Sequence, residues 1–404
     1  MFKRLNLALA LLVVAGLVLA ACGPTGPAEC TDGIGCVEYG PDDPIRIASA
    51  LVISGPNTQL GLDSQYGVEI AIDMYGDVAG HSVELQAEDD GCNAEGGQAA
   101  GQKIVSDPSI VAVIGTSCSG AGVPMSTVIS EAGYVMVSPS NTAPSLTDPN
   151  QAWNPGYLRT AHNDKVQGAA MAEFAYSELG LSTAAAIHDG DPYTEGLANA
   201  FRDAYEDMGG TVVAFTAVSV GDTDMRPVLT AVAASEGGAP EFLFFPVFTA
   251  ECALLAKQVQ EVEGLENTVA AAADGCFSDA AAEAIGDAGE GMYFSGPDLA
   301  FEGNTYVTFK ERYNALFGSD PLSAFHAHAF DATNLIFGCI EEVGVSSDDG
   351  SLSIGRQAMR DCLYATSGVA GITGSLTCNE YGDCADPKIA VYELNGGEYA
   401  PIWP

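Results

Sequence analysis

The chain has 404 residues, 47% of them hydrophobic, which is enough for more than one buried core and too apolar for a disordered protein. It carries 54 acidic against 14 basic residues, a formal net charge of −40, and no basic cluster interrupts it. Such a surface repels nucleic acid and anionic lipid headgroups, so neither is an expected partner.

Reading from the N-terminus, Lys3-Arg4 precede an apolar run over 5–18 and then Leu19-Ala20-Ala21-Cys22. A charged start, an apolar centre and a small-residue cleavage site make 1–21 an export signal, and the run is marginal for a bilayer span. A cysteine directly after Leu-Ala-Ala resembles the bacterial lipobox, in which Cys22 becomes the acylated first residue. The expected location is therefore outside the cytoplasm, lipid-anchored to the outer face of the cytoplasmic membrane or in the periplasm. Residues 22–43, rich in Gly, Pro and Asp, read as a tether with a small Cys30/Cys36 loop.

From 45 onward, short apolar runs alternate with amphipathic ones. Strands are predicted at 45–53, 83–87, 111–114 and 134–137, with helices at 61–75, 95–105 and 120–132. A second series has strands at 184–188, 211–215, 242–245, 269–272 and 292–294, and helices at 195–208, 225–234, 251–262 and 279–285. Helical stretches at 306–316, 331–343 and 355–365 follow, then a late strand at 389–393. Alternation of this kind implies parallel sheets covered on both faces, and the units are too many for one sheet. The expected fold class is α/β, with two Rossmann-like parallel-sheet lobes. Ligands of such sheets bind beyond the carboxyl ends of the strands.

Eleven cysteines suit an oxidising compartment, and setting Cys22 aside leaves an even number. They fall as the neighbours Cys30/Cys36, Cys92/Cys118, Cys252/Cys276, Cys339/Cys362 and Cys378/Cys384. Spacing alone does not fix connectivity. Metal ligation is the rival use, although no Cys-x-x-Cys pair occurs. The strand assignment adds an argument. Cys92 and Cys118 each follow a strand's carboxyl end; Cys276 also follows a strand, and Cys252 opens the preceding helix. Cys339 and Cys362 lie on successive helices able to pack as a pair.

Three segments leave a strand and enter a loop or helix start: Val-Ile-Gly-Thr-Ser-Cys-Ser-Gly over 113–120, Val-Ser-Pro-Ser-Asn-Thr over 137–142, and Ile-His-Asp-Gly-Asp-Pro-Tyr over 187–193. Free backbone N–H groups and hydroxyls at such places suit a carboxylate without needing a cation, which matters in a chain poor in Lys and Arg. Singly, each Ser or Thr is more often a helix cap than a ligand contact; their recurrence at several strand ends points to a site. Enzyme signatures are missing from the sequence. It has no Gly-x-Ser-x-Gly elbow, no His-Glu-x-x-His and no phosphate-binding fingerprint after the first strand, where Ser54-Gly55-Pro56 stands instead. His326-x-His328-x-x-Asp331 is not accompanied by an open-site metal motif. The reading is a binding protein without cofactor or metal rather than an enzyme.

In order and spacing these segments resemble the leucine/isoleucine/valine-binding protein family, type I periplasmic binding proteins that feed ABC importers for hydrophobic amino acids. The likeness runs from about Arg46 to Glu393. Its landmarks are Ser54-Gly55-Pro56, Asp89-Asp90-Gly91-Cys92, Ile114-Gly115 through Cys118-Ser119, Val137-Ser138-Pro139, Arg159-Thr160, Gln167-Gly168, His188-Asp189 with Tyr193 and Glu195-Gly196, Gly286-Asp287, and Glu290-Gly291-Met292. The resemblance implies two lobes joined by three crossings, with lobe I over 44–163 and 298–381 and lobe II over 164–297 and 382–404. It implies a ligand trapped between them, delivery to an ABC permease, and a bridge near the first pocket loop that matches Cys92/Cys118.

The resemblance also implies roles. Ser119 and Thr142 fall where the ligand carboxylate is bound, and Ser140 where a backbone carbonyl receives the ammonium. Tyr193 falls on the lobe II tyrosine that closes over the ligand, and Phe248 where a second tyrosine is common, so that the hydroxyl is lost. Asp274 falls on the acidic counter-ion of the ammonium, a glutamate in better-known members; a helix cap before Gly275 is its bland alternative. Leu60 and Ser117 fall near the side-chain subsite, and Phe325, His326 and His328 lie near a loop entering the cleft. A zwitterion leaving water needs both charges satisfied, which gives this arrangement its physical sense. Receptors for urea, short amides or aromatic acids share the fold, and a ligand-sensing partner of a signalling receptor is a further alternative.

Overall fold

The structure is a computed structural model that describes residues 30–404; the export signal and Cys22 lie outside the described residues. The chain opens with β1 (Cys36–Tyr39) and then builds a first lobe on β2 (Ile45–Leu51), β3 (Val83–Asp89), β4 (Ile110–Gly115), β5 (Met136–Ser138) and β6 (Tyr157–Arg159). These form a five-stranded parallel sheet in the order β3-β2-β4-β5-β6. Strand β4, Ile-Val-Ala-Val-Ile-Gly, is buried along its whole length, as expected of a central strand covered on both faces. Side-chain alternation splits the sheet between two cores. Ile47, Leu51, Ile114 and Val137 face Ile336, Phe337 and Ile340, while Ala48, Val113 and Met136 face Ile104, Met125 and Ile129. Each of these Val, Leu, Ile, Met and Phe side chains contributes about 1.5–3 kcal/mol by leaving water.

The chain then crosses to the second lobe through the helix Asp164–Glu173 and adds β7 (Thr183–His188), β8 (Thr211–Ala217), β9 (Phe242–Phe244), β10 (Val269–Ala273) and β11 (Tyr293–Pro297). It returns to the first lobe for the helices Asn304–Phe317, His326–Val343 and Arg356–Tyr364 and the short strands β12 (Val345–Ser346), β13 (Leu352–Gly355), β14 (Val369–Ala370) and β15 (Ser375–Leu376). A third crossing delivers β16 (Ile389–Asn395) and β17 (Glu398–Trp403) to the second sheet. That sheet runs β17-β16-β11-β10-β9-β7-β8, parallel from β8 to β11 and antiparallel at β16 and β17. Two parallel-sheet lobes joined by three crossings are the type I periplasmic binding protein fold.

Helix starts carry the expected caps. Asn93 accepts from the Gly96 amide, Asp191 from Tyr193 with Pro192 at the first helical position, and Ser278 from Ala281. All five neighbour pairs of cysteines are joined: Cys30–Cys36, Cys92–Cys118, Cys252–Cys276, Cys339–Cys362 and Cys378–Cys384. Two of them staple the ends of strands from which the cleft is built.

The tether reading of 22–43 needs correcting in its second half. Residues 36–39 pair with β13 as an antiparallel strand, and Val37 and Tyr39 are buried in the first lobe's core. Alternation of Val37 and Tyr39 with polar neighbours was the signal, hidden by the surrounding Gly, Pro and Asp. Strand β17 also went unread because Pro401 interrupts it. It is an edge strand, where a missing N–H is tolerated, and Gly396-Gly397 turn the chain back on β16 with positive φ.

Candidate functional site

At the carboxyl ends of the strands, between the lobes, lies a narrow cleft with about 20 Å³ of free space, room for about one water. Its walls are Leu60, Ser117, Cys118, Ser119 and Ser140 from the first lobe with Phe325, and Tyr193, Phe248, Asp274 and Gly275 from the second. The structure thus brings together every expected pocket residue except Thr142. Thr142 is fully buried behind the wall, and its hydroxyl has no hydrogen-bond partner among the described residues.

The first lobe presents neutral groups. Ser119 opens the helix Ser119–Glu131, which follows β4. Its Oγ accepts from the Ala143 amide at 3.2 Å, so the hydroxyl keeps its own hydrogen to donate. The loop beneath is pinned by Asp90, a buried carboxylate that accepts from Cys92 N–H at 2.8 Å and Ser117 N–H at 2.6 Å. Burial pushes the Asp90 carboxyl up to about 7 against these bonds. Ser140 Oγ donates to the Ser117 carbonyl at 3.0 Å, joining the second strand-end loop to the first. Arg159, with no exposed surface, holds that loop from below. It donates to the Asn141 and Ala143 carbonyls at 3.1 and 2.8 Å and pairs with Asp383 at 2.6 Å, inside the Cys378–Cys384 loop.

The second lobe presents a carboxylate and two rings. Asp274 follows β10, one residue before Gly275 and two before the bridged Cys276. Its Oδ1 accepts from Gln167 Nε2 at 2.5 Å and from the Tyr193 hydroxyl at 3.2 Å, and Tyr193 in turn accepts from Gly275 N–H at 2.9 Å. These bonds leave Oδ2 outside the network. Burial pushes the Asp274 carboxyl up to about 6, with the Gln167 and Tyr193 bonds opposing. A Cβ on residue 275 would stand 2.7 Å from the Tyr193 ring, so the glycine is what lets the tyrosine approach. Phe248 lies 5.3 Å from that ring, centroid to centroid, and completes an aromatic wall.

Three functional groups escaped the sequence reading. Gln167, read only as a landmark, orients Asp274 and also accepts from His162 Nε2 at 2.5 Å. Asp164, at the first crossing, is fully buried with neither carboxylate oxygen partnered among the described residues. Its carboxyl is held well above the usual range by burial and then by the Asp274 charge. Asp191 caps its own helix and lies against Gly120 on the other lobe, where any side chain would collide with its carboxylate. All three sit on crossings or helix starts, where a polar residue in sequence signals only a cap. Conversely, His326 is not in the cleft: it is bound to Asp63 and Tyr306 inside the first lobe at 3.1 and 3.2 Å.

The model of the family described as periplasmic binding protein matches residues 44–398. A Leu/Ile/Val-binding protein homolog 3 of Brucella melitensis is 29% identical over 88% of this chain and 92% of its own length. A leucine-, isoleucine-, valine-, threonine- and alanine-binding protein of Pseudomonas aeruginosa is 28% identical over 87% and 90%. Among solved structures, a leucine-binding protein of Thermotoga maritima superposes with a TM-score of 0.79 at 24% identity, covering 89% of this chain and 97% of that one, and shares the fold.

Proposed function

The chain belongs to the periplasmic binding protein family, and we propose that it is a solute-binding lipoprotein, acylated at Cys22, of an ABC importer. On this reading it closes on a hydrophobic, branched-chain or related amino acid and hands it to the permease from outside the cytoplasm. The names of its relatives support the ligand class. One observation carries it: a buried carboxylate and a helix N-terminus face one small cleft from opposite lobes, with no Lys or Arg in its wall.

The roles proposed for the residues of the wall are these. Ser119 N–H and hydroxyl receive the ligand carboxylate at the positive end of their helix. Asp274 takes the ammonium through Oδ2, and the Ser140 carbonyl shares it. Thr142 and Asp164, buried and unpartnered just behind, complete the two ends when the lobes part to admit ligand. Leu60, Ser117, Phe248 and Phe325 surround the side chain, and the Tyr193 ring closes over it. The unit that moves is each lobe, over 44–163 with 298–381 and over 164–297 with 382–404, hinged at the crossings.

A thermal-shift screen of the exported chain against the twenty amino acids, urea, short amides and aromatic acids tests the reading. Leucine, isoleucine, valine or a close neighbour is expected to raise the melting temperature in a concentration-dependent way. A shift from an amide or aromatic acid with silence from every amino acid would remove Asp274 as an ammonium partner.

A further inference from the structure

Behind the cleft, at the hinge, lies a second cavity of about 260 Å³, partly open to solvent. All three crossings wall it: Thr160 and His162 from the first, Asp298 from the second, Asp386 and Lys388 from the third. His328 reaches it from the helix His326–Val343. A body touching all three crossings is sensitive to any change of hinge angle.

The proton on His162 can be placed by elimination. Gln167 Nε2 lies 2.5 Å from the Asp274 carboxylate and 3.1 Å from the Ser295 carbonyl, both acceptors, so the amide nitrogen must be at that end. The amide oxygen therefore faces His162, and His162 Nε2 must carry the hydrogen it accepts. Burial holds this imidazole neutral, with its pKa near 4. Its Nδ1 is then a bare lone pair, and it is buried without a partner among the described residues. The cavity adds Asp298 and Asp386 as further acceptors. Its Lys388 is 60% exposed at the mouth and lies 3.9 Å from Asp386. Thr160 spends its hydroxyl hydrogen on the His328 carbonyl at 2.8 Å. Apart from the neutral His328 imidazole, which carries one N–H, these groups offer an anion no buried donor, whereas a small cation with N–H bonds finds an imidazole lone pair and carboxylates together.

We propose that the hinge cavity is a second binding site, for a small protonated amine, and that its occupancy is transmitted to the interlobe cleft through His162, Gln167 and Asp274. The coupling rests on Asp274 as the ammonium partner in the cleft; occupancy of the hinge cavity does not.

The test uses the exported chain labelled with ¹⁵N-histidine, titrated with methylammonium chloride and with sodium chloride at equal ionic strength. Methylammonium is expected to move the His162 Nδ1 resonance saturably, identified by its loss in His162→Gln, and to change the affinity for leucine by about fivefold. Asp386→Asn, outside the cleft, should leave leucine affinity in sodium chloride unchanged while weakening the amine response. His162→Gln retains a donor for Gln167 but has no Nδ1, and should abolish the amine dependence. A response no different from that to sodium overturns the site. So does competition with leucine that persists undiminished in both variants, because the amine then occupies the first cleft. A saturable Nδ1 shift with no change in leucine affinity overturns the coupling. The same shift in a chain that binds no amino acid upholds the hinge site and counts against the proposed function instead.

Discussion

The two lobes meet the cleft with opposite chemistry. The first brings hydroxyls and backbone amides at a helix start, all neutral and all fixed by bonds within that lobe: Ser119 to Ala143, Ser117 to Asp90, Ser140 to Ser117. The second brings one carboxylate, held at a single oxygen by Gln167 and Tyr193, and two aromatic rings. A zwitterion has two ends, and neither lobe alone can satisfy both. On the proposed function, closure is therefore coupled to having the right molecule in the cleft. The two ends also differ in energy. Dipoles lose little when left empty, whereas a buried carboxylate without a cation is costly. Asp274 illustrates this, its carboxyl pushed up to about 6 by burial.

The contrast is broken most severely at the charged side. Asp274→Ala is expected to weaken amino-acid binding by roughly 2–5 kcal/mol in calorimetry, while the circular dichroism spectrum stays that of a folded protein. Wild-type affinity in that variant would remove Asp274 from the site. The second effect is of pH. Buried as it is, Asp274 holds a proton below about pH 6, and a ligand ammonium needs the ionised form. Affinity should be flat above pH 6 and fall by up to about tenfold per unit below it, with proton release on binding visible as a dependence on buffer enthalpy. Stability runs the other way. Asp90, Asp191 and Asp274 have carboxyls raised above their ordinary value, the first two to about 7, so the folded state holds extra protons between about pH 4 and 7. Their contribution is full at the acid end and is lost as pH rises through 7. A melting temperature that did not fall between pH 5 and 7.5 would contradict this burial. The smallest change is expected on the neutral side: Ser119→Ala should cost about 1 kcal/mol of binding, one hydroxyl among several donors. A loss as large as that of Asp274→Ala would show the first lobe to be the charged partner's equal.

Much of this could be read from the sequence because local signals and global fold agree. Most strands of both lobes, the disulfide neighbours and the segments over 113–120 and 187–193 each carry their own pattern. What escaped lies where a residue's role is set by partners distant in sequence. Asp164 looks like a helix cap until the crossing buries it beside Asp274, and Gln167 gains its meaning only from a carboxylate more than a hundred positions later. Arg159 made β6 unreadable, since an arginine in a three-residue apolar run argues against a buried strand; its partner Asp383 comes from the third crossing. Residues 36–39 were lost to composition, their two buried side chains too few to stand against the Gly and Pro around them.

The threefold crossing also governs the order in which the molecule can be completed. All five strands of the first sheet precede residue 160, yet the helix that covers one of its faces spans His326–Val343. The second sheet waits longer still, for β16 lies between β11 and β17 and arrives in the final hairpin. A chain delivered N-terminus first therefore carries one apolar face incompletely covered, and one sheet edge unpaired, until residues 326–395 have been made. Such intermediates are prone to aggregate. The strongly acidic character of the chain then acts before any fold exists, as mutual repulsion that keeps unfinished copies apart.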